Sequence, residues 1–163
     1  LGATVIGTVG SSEKADLARA HGCDHPVLYK DEDFSSRARE ITDGKGVDAV
    51  YDSVGQATFA RSLDCLRPMG MMVSFGQSSG SVPPFDLGEL AARGSLFITR
   101  PSLMAYTADR TDLLDHAKDL FELVLNGAVK IEVNQTYPLA EAARAHQDLE
   151  ARRTTGSTVL IPG

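Results

Sequence analysis

Along the chain, apolar positions switch between the period of a strand and that of a helix. Residues 3–9 (ATVIGTV) carry no charge and are rich in β-branched side chains, the pattern of a strand buried on both faces. Ser11 or Ser12 then opens a helix through Ala15, Ala18 and His21 that Gly22 ends. Residues 25–29 predict a short strand. Phe34, Ala38 and Ile41 recur at helical spacing, and that helix stops at Gly44. Residues 48–53 (DAVYDS) form a further strand with Gly55 in a tight turn, and Phe59, Leu63 and Leu66 keep helical spacing up to the stop signals Pro68 and Gly70. Residues 71–75 read as a strand, 76–84 (GQSSGSVPP) as a turn-rich loop, 86–93 as a short helix and 95–100 as a strand. The strongest helical pattern is Leu113/Leu114, Ala117, Leu120/Phe121 and Val124/Leu125, closed by Gly127. Beyond it, 129–133 and 136–139 look extended, 140–150 helical and 158–161 extended. This alternation predicts an α/β protein of βαβ units on a mostly parallel, doubly wound sheet.

Composition narrows the function classes. A chain of 163 residues has the size of one ordinary domain, and 42% hydrophobic with 23% charged residues excludes disorder and fibrous structure. No apolar run approaches the ~20 residues that span a bilayer. Sixteen Lys and Arg against 22 Asp and Glu give a net charge of −6, which argues against nucleic acid or an anionic membrane as partner. Cys23 and Cys65 lack ligand spacing, so no metal site is expected and a reducing, cytoplasmic setting is. Leu1-Gly2-Ala3, without an initiator Met, runs at once into a strand like the tail of a helix entering a sheet, which predicts a fragment of a longer protein.

The turn at the end of the first strand, Val9-Gly10-Ser11-Ser12-Glu13-Lys14, carries candidate chemistry. A dinucleotide fold selecting NAD puts Asp or Glu there for the ribose 2′-hydroxyl. Small neutral residues with Ser11 and Lys14 suit a 2′-phosphate instead, at a helix N-terminus with a cation beside it. A capped surface helix with an ordinary exposed lysine is the other reading of this stretch. The four histidines, His21, His25, His116 and His146, have no G-x-S-x-G partner, so no Ser/His/Asp arrangement is expected.

The strings 7–22 (GTVGSSEKADLARAHG), 44–55 (GKGVDAVYDSVG), 61–80 (RSLDCLRPMGMMVSFGQSSG), 94–103 (GSLFITRPSL) and 137–162 (YPLAEAARAHQDLEARRTTGSTVLIP) resemble, in order and over essentially the whole chain, the quinone oxidoreductases of the zinc-independent medium-chain dehydrogenase/reductases. The resemblance implies a partial Rossmann domain over residues 1–129 and, over 130–163, a segment returning to a GroES-like catalytic domain. It also implies that the first Rossmann strand and its glycine-rich turn are missing. In the order 3-2-1-4-5-6 that strand is central, so the strands at 3–9 and 48–53 would have unpaired edges. Either further residues or another chain fill the gap, or the two strands close directly on each other.

The implied cofactor is NADPH. The resemblance gives Tyr29 and Arg152 to the 2′-phosphate with Lys14, although neighbouring Arg153 is an alternative to Arg152. It sets Ser53 and Gly55 beside the cofactor, Phe75, Gly76, Gln77 and Ser78 along the nicotinamide, and Pro101, Ser102 and Leu103 over it. Turn glycines with only a turn role, and a solvated arginine pair, are the plain alternatives. The implied activity is NADPH-dependent quinone reduction, with little or none in the fragment alone. An alkenal or enoyl reductase and a noncatalytic dinucleotide-binding module are the competing functions. A homodimer is expected through the apolar edge strand at 96–100, a small-molecule quinone as substrate, and no catalytic residue within this chain.

Overall fold

The computed structural model describes residues 2–163; Leu1, read above with Gly2 and Ala3 as a helix tail, lies outside the described residues. The chain forms two compact units, the first running to Ala105 and the second Tyr106–Gly163.

The first unit is built from strand–helix repeats. Strand β1 (Ile6–Val9) pairs in parallel with β2 (His25–Leu28) across helix α1 (Ser12–Ala20). Ser11 starts α1 because its side chain accepts the N–H of Lys14, and the chain leaves α1 through Gly22 in a left-handed conformation. Helix α2 (Phe34–Ile41) is capped by Asp33 and buries Phe34 and Ala38 at i and i+4. It leads to β3 (Val47–Asp52), α3 (Phe59–Asp64), β4 (Leu66–Ser74), α4 (Gly88–Ala92), β5 (Phe97–Thr99) and the short α5 (Leu103–Tyr106). Strands β3, β4 and β5 form a second parallel sheet in that order.

The two sheets are not hydrogen-bonded to each other. Direct closure of the first strand on the strand at 48–53 is therefore not what the chain does. Side chains cross the break instead: Val27 of β2, Phe34 and Ala38 of α2 and Cys65 form one core cluster, against which Ile6 of β1 and Val47 and Val50 of β3 pack. A second cluster, Phe59, Leu63, Leu66, Met72 and Leu96, lies under α3.

Two expectations shift here. Leu66 is 1% exposed, but as the first residue of β4 and not as the end of a helix. Pro68 and Gly70 act inside the strand, where the pairing with β3 jumps from Val47–Leu66 to Ala49–Met71 and Met69 takes a φ of 57°. A bulge of this kind tolerates Pro because no ladder N–H is needed there. The first strand is also shorter than its apolar run, since Val5 donates its N–H to the Asp24 carboxylate ahead of the ladder.

In the second unit, α6 (Arg110–Leu125) starts at Asp109, which accepts the N–H of Thr111. Strands β6 (Val133–Pro138) and β7 (Ser157–Ile161) pair in parallel across α7 (Ala142–Glu150). Tyr137 of β6 donates its hydroxyl to Asp148 of α7, tying helix to strand. Residues 129–132, expected to be extended, precede β6 without joining it.

The chain exposes 11328 Å². Two separately folded units of these sizes expose about 9,400 Å² together. Much of the excess is apolar: Leu114, Leu120, Phe121 and Leu125 of α6 are all more than half exposed, and so are Tyr51 and Phe97 on the β3–β5 sheet. A parallel sheet is normally covered on both faces, and an amphipathic helix buries its apolar stripe.

Candidate functional site

In a doubly wound sheet the carboxyl ends of the strands carry the ligand, and two clusters form there in the first unit. The first lies after β1 and β2. Tyr29 follows β2 directly, and its hydroxyl sits so close to Gly10 that a Cβ on that glycine would be 3.2 Å from it. Ser11, capping α1, and Lys14, in the first turn of α1, stand next in the chain. Glu13 is solvent-exposed. Ser11, Lys14 and Tyr29 are thus grouped at one end of the β1–β2 pair. Helix geometry leaves the N–H groups of Ser12 and Glu13 for an outside acceptor. Two hydroxyls, a cation and a helix N-terminus, with Glu13 exposed, make a chemistry suited to an anionic group.

The second cluster is built from main chain. After β3 the turn Ser53-Val54-Gly55 lies against the turn Phe75-Gly76-Gln77-Ser78 after β4. Phe75 and Gly76 both donate their N–H groups to the Asp52 carbonyl, at 3.0 and 3.2 Å, and Ser79 donates to the Val54 carbonyl at 2.8 Å. Gly76 is obligatory, because a Cβ there would fall 2.2 Å from the Ser53 carbonyl oxygen. Gly55 combines a φ of 88° with a Cβ position 2.6 Å from the Gly80 carbonyl oxygen. Ser53, Phe75, Gln77 and Ser78 keep exposed side chains on this frame. A cavity of about 590 Å³ opens beside it, lined by Phe59, Val82, Phe85 and Ile98 with Gln77 and Arg100.

Two residues that sequence reasoning passed over hold the frame. Asp52 is 4% exposed, and its carboxylate accepts four hydrogen bonds: Oδ1 from the N–H groups of Val54 (2.7 Å) and Gly55 (3.0 Å), Oδ2 from the hydroxyls of Thr58 and Ser62 (2.7 Å each). Burial by itself raises the pKa of this carboxyl, but the bonds from Gly55, Ser62, Thr58 and Val54 outweigh it and hold the pKa below the ordinary 3.8. Arg100, just past β5, donates Nη1 to the carbonyls of Ser74 (3.1 Å) and Gly76 (2.9 Å) and Nη2 to Gln77 Oε1 (3.4 Å). The resemblance pointed to Ser53 and Gly55, whereas the signal for Asp52 was the pair of hydroxyl residues six and ten positions on.

The remaining expected residues lie on other segments of the chain. Pro101 and Ser102 follow Arg100, and Leu103 opens α5 with 75% exposure. Arg152 belongs to the second unit, immediately after α7. Its N–H bonds the Leu149 carbonyl and that of Arg153 bonds the Asp148 carbonyl, the paired pattern that ends a helix through a left-handed residue. Glycine usually fills that position; here Arg152 does, at a φ of 58°. Arg153 turns back to an ion pair with Asp148.

The sequence profile described as zinc-binding dehydrogenase matches residues 21–160. The chain belongs to this family. It is 52% identical over 162 residues to a quinone oxidoreductase of Pseudomonas aeruginosa and 51% identical over 163 residues to a 2-haloacrylate reductase of a Burkholderia species, in each case covering 99% of this chain. Among solved structures, the Escherichia coli quinone oxidoreductase complexed with NADPH superposes with a TM-score of 0.93 at 48% identity, covering 99% of this chain and 50% of that one. The chain thus spans about half the length of the curated relatives it matches. Among the described residues no group of three or more His, Cys, Asp or Glu side chains is arranged to hold a metal ion, and no helix is long and apolar enough to cross a membrane.

Proposed function

We propose that this member of the zinc-binding dehydrogenase family is the cofactor-binding part of a longer, cytoplasmic, zinc-independent reductase that transfers hydride from NADPH to quinones or related electrophiles. The observation that carries the reading is the turn after β1, where Ser11, Lys14 and Tyr29 stand together at the N-terminus of α1. A 2′-phosphate favours hydroxyls, N–H groups and a cation, and Lys14 supplies the charge. Bound NADPH supplies the hydride; a quinone is a strong enough acceptor to need no Lewis acid. This chain's residues bind and orient: Ser53, Gly55, Phe75, Gly76, Gln77 and Ser78 form the nicotinamide floor, and Pro101, Ser102 and Leu103 its cover. Arg152 is the second cation for the 2′-phosphate. Its left-handed backbone supports that role, since a bulky residue persists in such a conformation where something other than local stability favours it.

The open edges belong to the same reading. A strand from elsewhere in the longer protein would sit between β1 and β3, joining the two sheets, with residues from about 130 onward returning to a catalytic domain. The free edge of β5 would pair with its copy in a homodimer. The test uses the complete protein. NADPH should bind at least about tenfold more tightly than NADH, and Lys14→Ala should remove most of that difference. Equal affinity for the two cofactors in the unaltered protein would overturn the reading. A solution mass of one chain at micromolar concentration would overturn the homodimer.

The 51% identity to a relative named 2-haloacrylate reductase favours a second acceptor class, an activated alkene. Turnover of 2-chloroacrylate and 1,4-benzoquinone under NADPH, compared by kcat/KM, separates the two, because the cofactor side is common to both.

A further inference from the structure

Two side chains outside the set assigned to the cofactor brace the turns at the carboxyl ends of β3 and β4. The Asp52 carboxylate uses both oxygens twice, so the 53–55 turn and the start of α3 cannot move apart without stripping a buried charge of its donors. Thr58 stands at the N-cap of α3, yet its hydroxyl serves Asp52 and the Gly55 carbonyl and caps no helix N–H. Arg100 does the same from β5. Among the described residues it has no carboxylate partner, and its guanidinium reaches only Ser74, Gly76 and Gln77. A surface arginine without a carboxylate, bound to main-chain carbonyls of a neighbouring turn, is a clamp on that turn.

Resting on the proposed NADPH reading, we infer that Asp52 and Arg100 are positioning residues for hydride transfer: Asp52 fixes the turn after β3, Arg100 fixes the turn after β4, and the two together hold one preset floor under the nicotinamide. Neither touches the reacting atoms. Their effect falls on the distance and alignment between donor carbon and acceptor, where an error of about 1 Å costs up to about 100-fold in rate. The floor is main chain, so cofactor affinity, set largely at the phosphate end, should change little.

The experiment uses the complete protein with NADPH and 1,4-benzoquinone. Asp52→Asn keeps the shape but loses the charge that four donors face; Arg100→Met removes the clamp without a buried partner, and Thr58→Val removes a single donor. The expected result is a fall in kcat of about tenfold or more for Asp52→Asn and Arg100→Met, with the NADPH dissociation constant within about threefold of the unaltered protein. The deuterium isotope effect on transfer from labelled NADPH should change in both variants. Arg100→Lys, which cannot hold two carbonyls in a planar fork, should recover only part of the rate. A purely structural role would lower the folded fraction but leave kcat per bound NADPH and the isotope effect unchanged, and that result in Arg100→Met would overturn the inference. Failure of the unaltered protein to bind NADPH would sink the functional reading instead, and the two failures are told apart by that control.

Discussion

The turns after β3 and β4 meet through main-chain groups, whereas the turn after β1 meets Tyr29 through a side chain. In the first region the contacts are N–H to carbonyl, the glycines leave no room for a Cβ, and the governing carboxylate is buried with every acceptor position used. In the second, Ser11 and Lys14 of an ordinary capped helix and Tyr29 at the end of β2 are all at least partly exposed. Under the proposed function, the difference separates two tasks. A flat ring that must be held at a set distance suits a rigid backbone floor, while a phosphate in water suits side chains that can close on it. Damage to the first region should therefore appear in stability and kcat, and damage to the second in affinity and cofactor choice.

The sharpest way to break that distinction is Gly76→Ala. The new Cβ would fall 2.2 Å from the Ser53 carbonyl oxygen, so one of the two turns must give way. The expected cost is about 3 kcal/mol of stability, read from the urea midpoint, with turnover lost even where folded protein remains. Gly55→Ala adds the strain of a left-handed alanine to a similar clash and should cost as much. Either variant tolerated at under about 0.5 kcal/mol would mean that the turns are not mutually locked.

Next in size is Lys14→Ala, which should raise the NADPH dissociation constant about tenfold while leaving NADH binding and the unfolding midpoint nearly unchanged. Equal losses for the two cofactors would assign Lys14 to the common part of the dinucleotide.

Arg152→Gly sharpens the same contrast in the second unit through opposite signs. Glycine meets no penalty at a φ of 58°, so stability should rise by about 0.5–1 kcal/mol. NADPH affinity in the complete protein should fall about fivefold to tenfold. A variant that is more stable and binds NADPH equally well would leave the left-handed arginine without a cofactor role.

What the sequence made legible follows the same line. Helices with polar caps and regular apolar spacing were readable to within a residue or two: Ser11 opens α1, and Phe34, Ala38 and Ile41 lie on α2. The failure came at 66–70, where Pro68 and Gly70 read as helix stops. There a bulge places them inside β4, and only the partner strand makes that favourable. The grouping of Ser11 and Lys14 was legible because both side chains follow one another at the end of β1, whereas Tyr29, at the end of β2, came only from the resemblance. The clamps were not legible. Asp52 is one carboxylate among 22 Asp and Glu, and it differs from the rest only in being buried and met by donors from Thr58 and Ser62. Arg100 bonds carbonyl oxygens, and a carbonyl is the same at every residue.

The smallest expected effect lies away from both regions and tests whether acid sensitivity can be assigned to one cap. Hydrogen bonds from the Ser35 hydroxyl and then from the N–H and hydroxyl of Ser36 bring Asp33 down from the ordinary 3.8 to about 2, with Arg61 adding a weaker pull. A carboxyl depressed on folding contributes stability that is complete above its unfolded pKa. That contribution is lost as pH falls from about 3.8 through about 2. Because the Asp33 side chain is 44% exposed, solvent screening keeps the effect small. Asp33→Asn keeps a cap acceptor but cannot titrate. In urea unfolding of the complete protein at a series of pH values, the variant should lose stability less steeply than the unaltered protein within that window and run parallel to it above. Asp52, also lowered, contributes to both proteins equally and cancels in the difference. Parallel curves throughout would move the acid sensitivity from the α2 cap to the other lowered carboxyls, Asp52 and Asp109.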